Sequence, residues 1–223
     1  MIVALIPAKK HSSRLHNKNL KRLGKTPLFV HTINYAKKSK LLDDIYVSSD
    51  DKKILKNSEI LGCKSILRPK SLSKKTSPMN LVIDHFIKFL QKKNIKFTGI
   101  VLLQPTSPFR PKKLLDKLIK IFKRRKSTII TVKKIDNEYL KGIIINKKKI
   151  RALNQKYFFQ NTQDLPNFFI PNGSIYIFNN KKFILKKEIP IKKLFTWEMK
   201  SYYNIDINYI EDFKNAKKYV QNL

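Results

Sequence analysis

Three stretches of this sequence combine residue types suited to chemistry on a charged small molecule. Residues 8–20 read Ala-Lys-Lys-His-Ser-Ser-Arg-Leu-His-Asn-Lys-Asn-Leu, so Lys9, Lys10, Arg14 and Lys18 share one segment with the hydroxyls of Ser12 and Ser13. Cations neutralise a polyphosphate, and hydroxyls and backbone N–H groups donate to its oxygens. The segment has no glycine and is not a Walker-type loop. In a chain this rich in Lys, the same pattern also describes a merely solvated loop. The second stretch is Gln104-Pro105-Thr106-Ser107-Pro108-Phe109-Arg110, where two prolines pin the backbone around four polar side chains. A rigid polar loop of this kind can read a small polyhydroxy ligand. It can equally be a helix entry, with Ser107 capping and Pro108 at the first helical position. The third is Asn204-Ile205-Asp206-Ile207-Asn208, followed by Glu211 and Asp212. On a strand, Asp206 and Asn208 face the same side. One carboxylate and one amide oxygen make a weak hard-cation site, suited to Mg²⁺ shared with phosphates. The alternative is a strand end whose acidic residues cap the last helix, and Asp212 fits that role better than a ligand role.

The four histidines do not cluster in sequence. His31 and His85 fall on helical stretches and read as structural, while His11 and His16 sit in the basic loop, within reach of a ligand. Cys63 is the one cysteine, which excludes a disulfide scaffold and a Cys-ligated zinc site and leaves a core or near-surface thiol.

The elements around these stretches alternate. Ile2–Pro7 is a continuous apolar run, as a central parallel strand requires. Pro27 can open a helix with Leu28, Val30, Ile33 and Ala36 near helical spacing. Residues 45–47 form a short strand ending in Ser48-Ser49-Asp50-Asp51, where Asp50 or Asp51 can cap a helix over 52–61 that stops at Gly62. Strands follow at Lys64–Leu67, Gly99–Leu103 and 128–132, with helices at 79–90 and 111–122. This order predicts a Rossmann-like α/β fold, a doubly wound and mostly parallel sheet. Polar residues gather beyond the carboxyl ends of the strands, where open α/β sheets bind ligands. Between about 134 and 170 the pattern breaks into strand-like pieces (141–145, 149–153) and aromatic pairs, either a partner surface or a hairpin packed on the core. The sheet resumes at 173–178, and 209–220 reads as a closing helix. No repeat or low-complexity linker divides the chain, so 1–223 is expected to be a single domain.

With 223 residues, 42% of them hydrophobic and 11% aromatic, the chain can bury a core of its own. Lys plus Arg is 49 and Asp plus Glu is 15, giving a net charge of +34. Only seven of the basic residues are Arg, and the Lys are scattered. Base reading favours Arg forks, and neither a zinc-finger spacing nor an RNP-like run is present. Lys, Ile and Asn enrichment is what an A·T-biased genome writes on a solvated surface, so no nucleic-acid partner is expected. The field still attracts anions, nucleotides included. The N-terminal run lacks a basic n-region and reads as a buried strand, not a signal peptide. No apolar stretch approaches the ~20 residues that span a bilayer. A soluble, cytoplasmic protein without a membrane partner is expected.

Taken together and in order, these blocks resemble the acylneuraminate cytidylyltransferase family, the CMP-sialic acid synthetases. The first block of that family typically reads IPAR-x-x-SK-x-x-P-x-KNL and is matched by residues 6–20. Val47-Ser48-Ser49-Asp50-Asp51 matches VSTDD, and Leu67-Arg68-Pro69 with Leu72 matches LRP-x-x-L. Residues 102–110 match LLQPTSPLR, with Phe109 for Leu. Leu165-Pro166 and residues 171–177 match an LP…PNG-x-IYI block, and residues 205–208 match IDI-D. The resemblance implies transfer of a cytidylyl group from CTP to a nine-carbon 2-keto acid sugar, with Mg²⁺, in a homodimer. It places Lys9, Ser12 and Lys18 on the triphosphate and Ala8, Asn19 and Arg68 on the cytidine. Gln104, Thr106, Ser107, Gln163 and Tyr176 fall on the sugar and Asp206 on the metal, with Lys18 and Asp206 carrying the chemistry. Segment 134–170 resembles the family's dimerisation segment, which lends one site to the neighbouring subunit. Departures stand beside these matches. Lys9 replaces an Arg and loses its fork. Ser13 replaces a Lys, for which Arg14 can substitute. His16 replaces a proline, Lys75 replaces an acidic residue, and Thr162 stands where an Arg is common. Asn208 replaces the second metal aspartate, so Asn208→Asp is expected to raise activity. The first loop also shares its Ser-Ser-Arg-Leu flavour with Kdo-activating enzymes, the alternative substrate branch. The substitutions at 9, 13, 162 and 208 also fit a degenerate, nucleotide-binding homologue.

Overall fold

The computed structural model describes residues 1–146 and 149–223. Its strands are β1 (Ile2–Pro7), β2 (Arg22–Leu23), β3 (Thr26–Pro27), β4 (Asp44–Ser49), β5 (Lys64–Leu67), β6 (Gly99–Leu103), β7 (Thr128–Ile135), β8 (Ile143–Asn146), β9 (Lys149–Ala152), β10 (Phe168–Asn179) and β11 (Leu194–Glu198). The α-helices are α1 (Leu28–Lys37), α2 (Lys52–Ile60), α3 (Met79–Lys92), α4 (Leu114–Arg125), α5 (Asn180–Lys186) and α6 (Ile210–Lys217). Seven strands form one sheet in the order β11-β7-β10-β6-β1-β4-β5. β5, β4, β1 and β6 are mutually parallel, β11 is parallel to β7, and β10 runs antiparallel to both β6 and β7.

β1 is buried along its whole length because both faces of the sheet are covered. Ile2, Ala4 and Ile6 enter one apolar cluster with α1, α2 and α4, and Val3 and Leu5 enter another with α3 and α5. This period-two split makes a doubly wound sheet out of a continuous apolar run. α3 contributes Val82, Ile83, Phe86, Ile87 and Leu90, and α4 contributes Leu114, Leu115, Leu118, Ile119 and Phe122, both at helical spacing. Each such fully buried side chain is worth about 2 kcal/mol. Cys63 is a buried core thiol. His31 is structural, its Nε2 lying 2.8 Å from the Leu23 carbonyl.

Several expectations are corrected here. α4 starts at Leu114, after Lys113 in the left-handed region at φ 62°, so Ser107 and Pro108 are not a helix entry. Residues 205–208 form no strand but an extended stretch, fixed by a 2.7 Å hydrogen bond from Ile207 N to Thr106 O. β10 begins five residues before position 173, and β11 and α5 lie where no element was expected. The β8–β9 hairpin forms a sheet of its own, with Ile143, Ile145, Ile150 and Leu153 exposed. It is therefore not packed on the core.

A third apolar cluster lies beneath the functional loops. Leu15, Leu23, Leu28, Phe109, Ile207, Phe213 and Ala216 are all buried in it. It glues the basic loop, the 104–110 loop and the C-terminal stretch into one floor. Phe109, in place of Leu, fits because it meets the rings of Tyr202 and Tyr219 edge-on, at 5.8 and 6.3 Å.

Candidate active site

The basic loop leaves β1 and is pinned against β4. Ala8 N donates to Ser48 O at 2.9 Å, and Asn19 Nδ2 donates to Lys9 O at 2.7 Å. Lys10 N donates to Asp50 Oδ1 at 2.9 Å, and its ammonium lies 3.3 Å from Asp51 Oδ2. Asp51 is the N-cap of α2, accepting from Lys53 N and Ile54 N at 2.8 and 3.0 Å. Asp50 is thus a loop anchor rather than the cap. Arg68, just after β5, is buried and donates from Nη2 to Ser48 O at 3.1 Å, while its Nε has no partner among the described residues. Burial, and secondarily Arg68 itself, pushes the Lys9 ammonium below its ordinary pKa.

Lys18 crosses from this loop to the C-terminal stretch. Only 6% exposed, it donates from Nζ to Ile207 O at 2.6 Å and lies 3.4 Å from Asn208 Oδ1. Burial pushes its pKa down to about 8, against the attraction of Asp206. Asn208 Nδ2 donates to Asp206 Oδ2 at 2.6 Å, and Ser107 Oγ lies 3.5 Å from Asp206 Oδ1. Asp212 accepts from Asn208 N and Tyr209 N, both at 2.8 Å, and so caps α6. Tyr176 lies within the field of Asp206; burial and that charge raise its pKa. Lys18, Ser107, Tyr176, Asp206 and Asn208 are therefore brought together from four segments of the chain.

The 104–110 loop is held from behind by Arg110. Its guanidinium is buried and donates to Gln104 O at 2.8 Å, Ser174 O at 3.2 Å and Thr32 Oγ1 at 3.1 Å. No carboxylate pairs with it among the described residues, and burial pushes its pKa down to about 10. Opposite stands Gly173, in a bulge where the β10–β7 register shifts, with φ 78°. A Cβ there would come 3.3 Å from Ser107 Oγ, 3.7 Å from Gln104 Oε1 and 3.9 Å from Asp206 Cγ. In the sequence, Gly173 is only the glycine of a Pro-Asn-Gly run, which carries no sign of this role. Its left-handed backbone and the absence of a side chain are what let Gln104, Ser107 and Asp206 converge.

Ser12 is half-buried, and Arg14 is exposed over the Tyr209 ring at 5.4 Å, its charge depressing both Lys9 and Lys18. His11 and His16 are exposed neighbours, ring centroids 5.6 Å apart. Gln163 is exposed on the 3₁₀ turn Thr162–Asp164 of the excursion. Thr162 is engaged locally, with Lys141 Nζ 3.3 Å from its hydroxyl. A cavity of about 610 Å³ opens beside the basic loop, lined by Lys10, His11, Asp50, Asp51 and Lys74 among others, but not by Lys18 or Asp206.

Among the described residues no cluster of three or more His, Cys, Asp or Glu side chains makes a self-sufficient metal cage. The donor set at Asp206 and Asn208, one carboxylate and one amide, fits instead a Mg²⁺ that takes most of its oxygens from phosphates and water.

Comparison with known proteins agrees with this geometry. Residues 3–223 match the Cytidylyltransferase family. The chain is 37% identical over 136 residues to the CMP-N,N'-diacetyllegionaminic acid synthase of Legionella pneumophila, covering 60% of this chain and 58% of that protein. It is 23% identical over 218 residues to the pseudaminic acid cytidylyltransferase of Campylobacter jejuni, covering 96% and 94%. It spans little more than half the length of several other curated relatives. The fold superposes on that of a CMP:2-keto-3-deoxy-manno-octonic acid synthetase complexed with CTP, with a TM-score of 0.73 at 14% identity over 100% of this chain and 99% of the other. With its sheet, its pinned basic loop and nearly its whole length in agreement, this chain belongs to the cytidylyltransferase family.

Proposed function

We propose that this protein transfers the cytidylyl group of CTP to the anomeric hydroxyl of a nonulosonic acid of the sialic or legionaminic type, releasing pyrophosphate. The observation that carries this reading is Lys18, a buried ammonium linking the polyphosphate-suited loop to Asp206. The hydroxyl oxygen attacks the α-phosphorus in line, the α–β P–O bond breaks, pyrophosphate leaves with the bonding pair and the hydroxyl loses its proton. Lys9 and Lys18 supply positive charge to the triphosphate, with Ser12 donating to its oxygens. Ala8, Asn19 and Arg68 shape the cytidine end of the site. Gln104, Thr106, Ser107 and Tyr176 orient the sugar, so that positioning and preorganised charge do most of the work. When bound at Asp206 and Asn208, Mg²⁺ neutralises charge developing on the phosphoryl oxygens. A 3-deoxy-manno-octulosonate cytidylyltransferase of Thermodesulfovibrio yellowstonii is 33% identical over 139 residues, which keeps Kdo as the second reading, while the structural likeness at 14% identity speaks to the fold alone. The relative matched at 37% is named for a legionaminic acid product, which favours the sialic and legionaminic branch.

A homodimer belongs to the same proposal. The excursion exposes Ile145 and Ile150, paired across the hairpin, and a nearly fully exposed Phe159. An apolar surface of this kind calls for a partner, and a second copy would carry Gln163 toward its neighbour's sugar site.

The test is pyrophosphate release from CTP and Mg²⁺ with N-acetylneuraminic, legionaminic, pseudaminic and Kdo acids offered in parallel. Release with one of the first two, and none when ATP or GTP replaces CTP, is expected. Silence with all four, together with a melting temperature that CTP does not move, overturns the proposal.

A further inference from the structure

Asp206 sits on a stretch with no regular structure, held on one side by the bond from Ile207 N to Thr106 O, so side chains must complete its placement. Asn204, two residues earlier, donates from Nδ2 to Met199 O at 2.5 Å and accepts at Oδ1 from Asn172 Nδ2 at 2.9 Å. Asn172 is 4% exposed and stands in the bulge of β10, beside Gly173. Its Oδ1 accepts from Thr131 Oγ1 at 2.7 Å and from Ser174 N at 3.2 Å, and its own carbonyl accepts from Ser107 Oγ at 3.3 Å. Thr131 Oγ1 in turn accepts from Ile175 N at 2.9 Å. Three of the four hydrogen bonds open to an Asn side chain are thus made, and together with the one its backbone carbonyl accepts they join three separate parts of the chain. One is the sheet, through Thr131. Another is the 104–110 loop, through Ser107. The last is the segment of Asp206, through Asn204.

The geometry points to Asn172 as a positioning residue for cytidylyl transfer, one that registers the Asp206 segment against the loop of Gln104 and Ser107. The inference rests on the function proposed above. Asn172 itself is buried, so it acts through Asn204 by its side chain and through Ser107 by its carbonyl. Its bonds divide cleanly: those of Oδ1 stabilise the bulge, and that of Nδ2 reaches toward the site. Asn172→Asp keeps the acceptor for Thr131 and Ser174 and turns the remaining donor into an acceptor facing Asn204 Oδ1. Thr131→Val cuts only the bulge side.

The test measures Mn²⁺ binding to the protein–CTP complex by electron paramagnetic resonance, alongside steady-state kinetics and melting temperature. For Asn172→Asp, and for Asn204→Ala at the other end of the same bond, Mn²⁺ affinity and kcat should fall about 10- to 100-fold. At saturating metal, KM for CTP should stay within about threefold, since the bonds that pin Ala8, Asn19 and Arg68 do not involve Asn172 or Asn204. Thr131→Val should lose melting temperature yet keep Mn²⁺ affinity and kcat within about twofold of wild type. Asn204→Ala keeps the test decisive if Asn172→Asp does not fold. The inference is overturned if both site-side variants keep wild-type Mn²⁺ affinity and kcat, or if all three lose them in proportion to lost stability. A wild-type protein that binds Mn²⁺ and CTP but releases no pyrophosphate with any of the four acids overturns the proposed sugar chemistry and leaves the Mn²⁺ comparison to decide on Asn172. Wild type that binds neither overturns both.

Discussion

The residue that departs most from its family pattern, Asn208, is also wired most specifically. Its amide donates to Asp206 Oδ2 at 2.6 Å while its oxygen lies 3.4 Å from Lys18 Nζ. Replacing it by Asp removes the donor and sets two carboxylates against each other. Without a cation, like charges at that distance destabilise the ionised pair. With Mg²⁺ they become a chelating pair. Asn208→Asp should therefore lower the half-saturating Mg²⁺ concentration for pyrophosphate release by about tenfold and make the melting temperature respond to Mg²⁺. An unchanged Mg²⁺ titration places the metal elsewhere. Lys18 carries a pH prediction of its own. Its pKa falls from 10.5 to about 8 because it is buried. Between those values the unfolded chain holds a proton that the folded chain has released, so folding stability rises with pH across that window. Relative to Lys18→Met, wild type should gain stability from about pH 8 to 10.5, read from unfolding curves at each pH. CTP affinity should fall over the same rise in pH, as the ammonium that faces the triphosphate is lost.

Elements decide how these residues meet, and here the sequence was only partly informative. β1, β6 and the parallel neighbours were legible because strands buried on both faces read as unbroken apolar runs. The direction and length of β10 were not. An apolar run carries no record of which way it pairs, and the register shift after Pro171 depends on Asn172 and Thr131 meeting across 41 residues. β11 left a fainter signal. Phe195 and Trp197 alternate inward against the first apolar cluster, with Arg125 and Lys117 over their faces at 4.9 and 4.3 Å, too short an alternation to stand out in the sequence. The residues proposed for the chemistry stand out by type and block, whereas the bulge beside them does not. That bulge can be tested at Gly173. Its φ of 78° and the 3.3 Å approach of a Cβ to Ser107 Oγ make Gly173→Ala both strained and obstructive. It should cost about 1–2 kcal/mol of stability, and kcat should drop further than that loss explains, because Ser107 must shift. Urea unfolding and kinetics on the same preparation separate the two effects. A stable, fully active Gly173→Ala would mean that Ser107 does not contact the sugar.

At the scale of the whole molecule, the excursion between β7 and β10 spends its apolar residues outward. Ile145 and Ile150 face each other across the hairpin and are 71% and 70% exposed, and Phe159 is 93% exposed. A chain of net charge +34 repels its own copies at long range, so a stable pair has to gain its free energy from apolar contact at a short-range patch such as this one. Gln163 lies in the same excursion, exposed on its 3₁₀ turn. Its resemblance-based role on the sugar then depends on a second copy. Ile145→Asp combined with Ile150→Asp should convert a dimer to a monomer, measured by light scattering after gel filtration. If the partner supplies Gln163, the monomer should bind CTP with unchanged thermal protection, because the basic loop, Arg68 and Asn19 all come from one chain. Its KM for the sugar should rise about tenfold or more, the size of loss expected when a polar contact to substrate disappears. Salt sharpens the comparison: added salt screens the repulsion and should strengthen the wild-type dimer, leaving the charged variant monomeric. A wild-type monomer with full activity would return Gln163 to the surface and leave the sugar to Gln104, Thr106, Ser107 and Tyr176 alone.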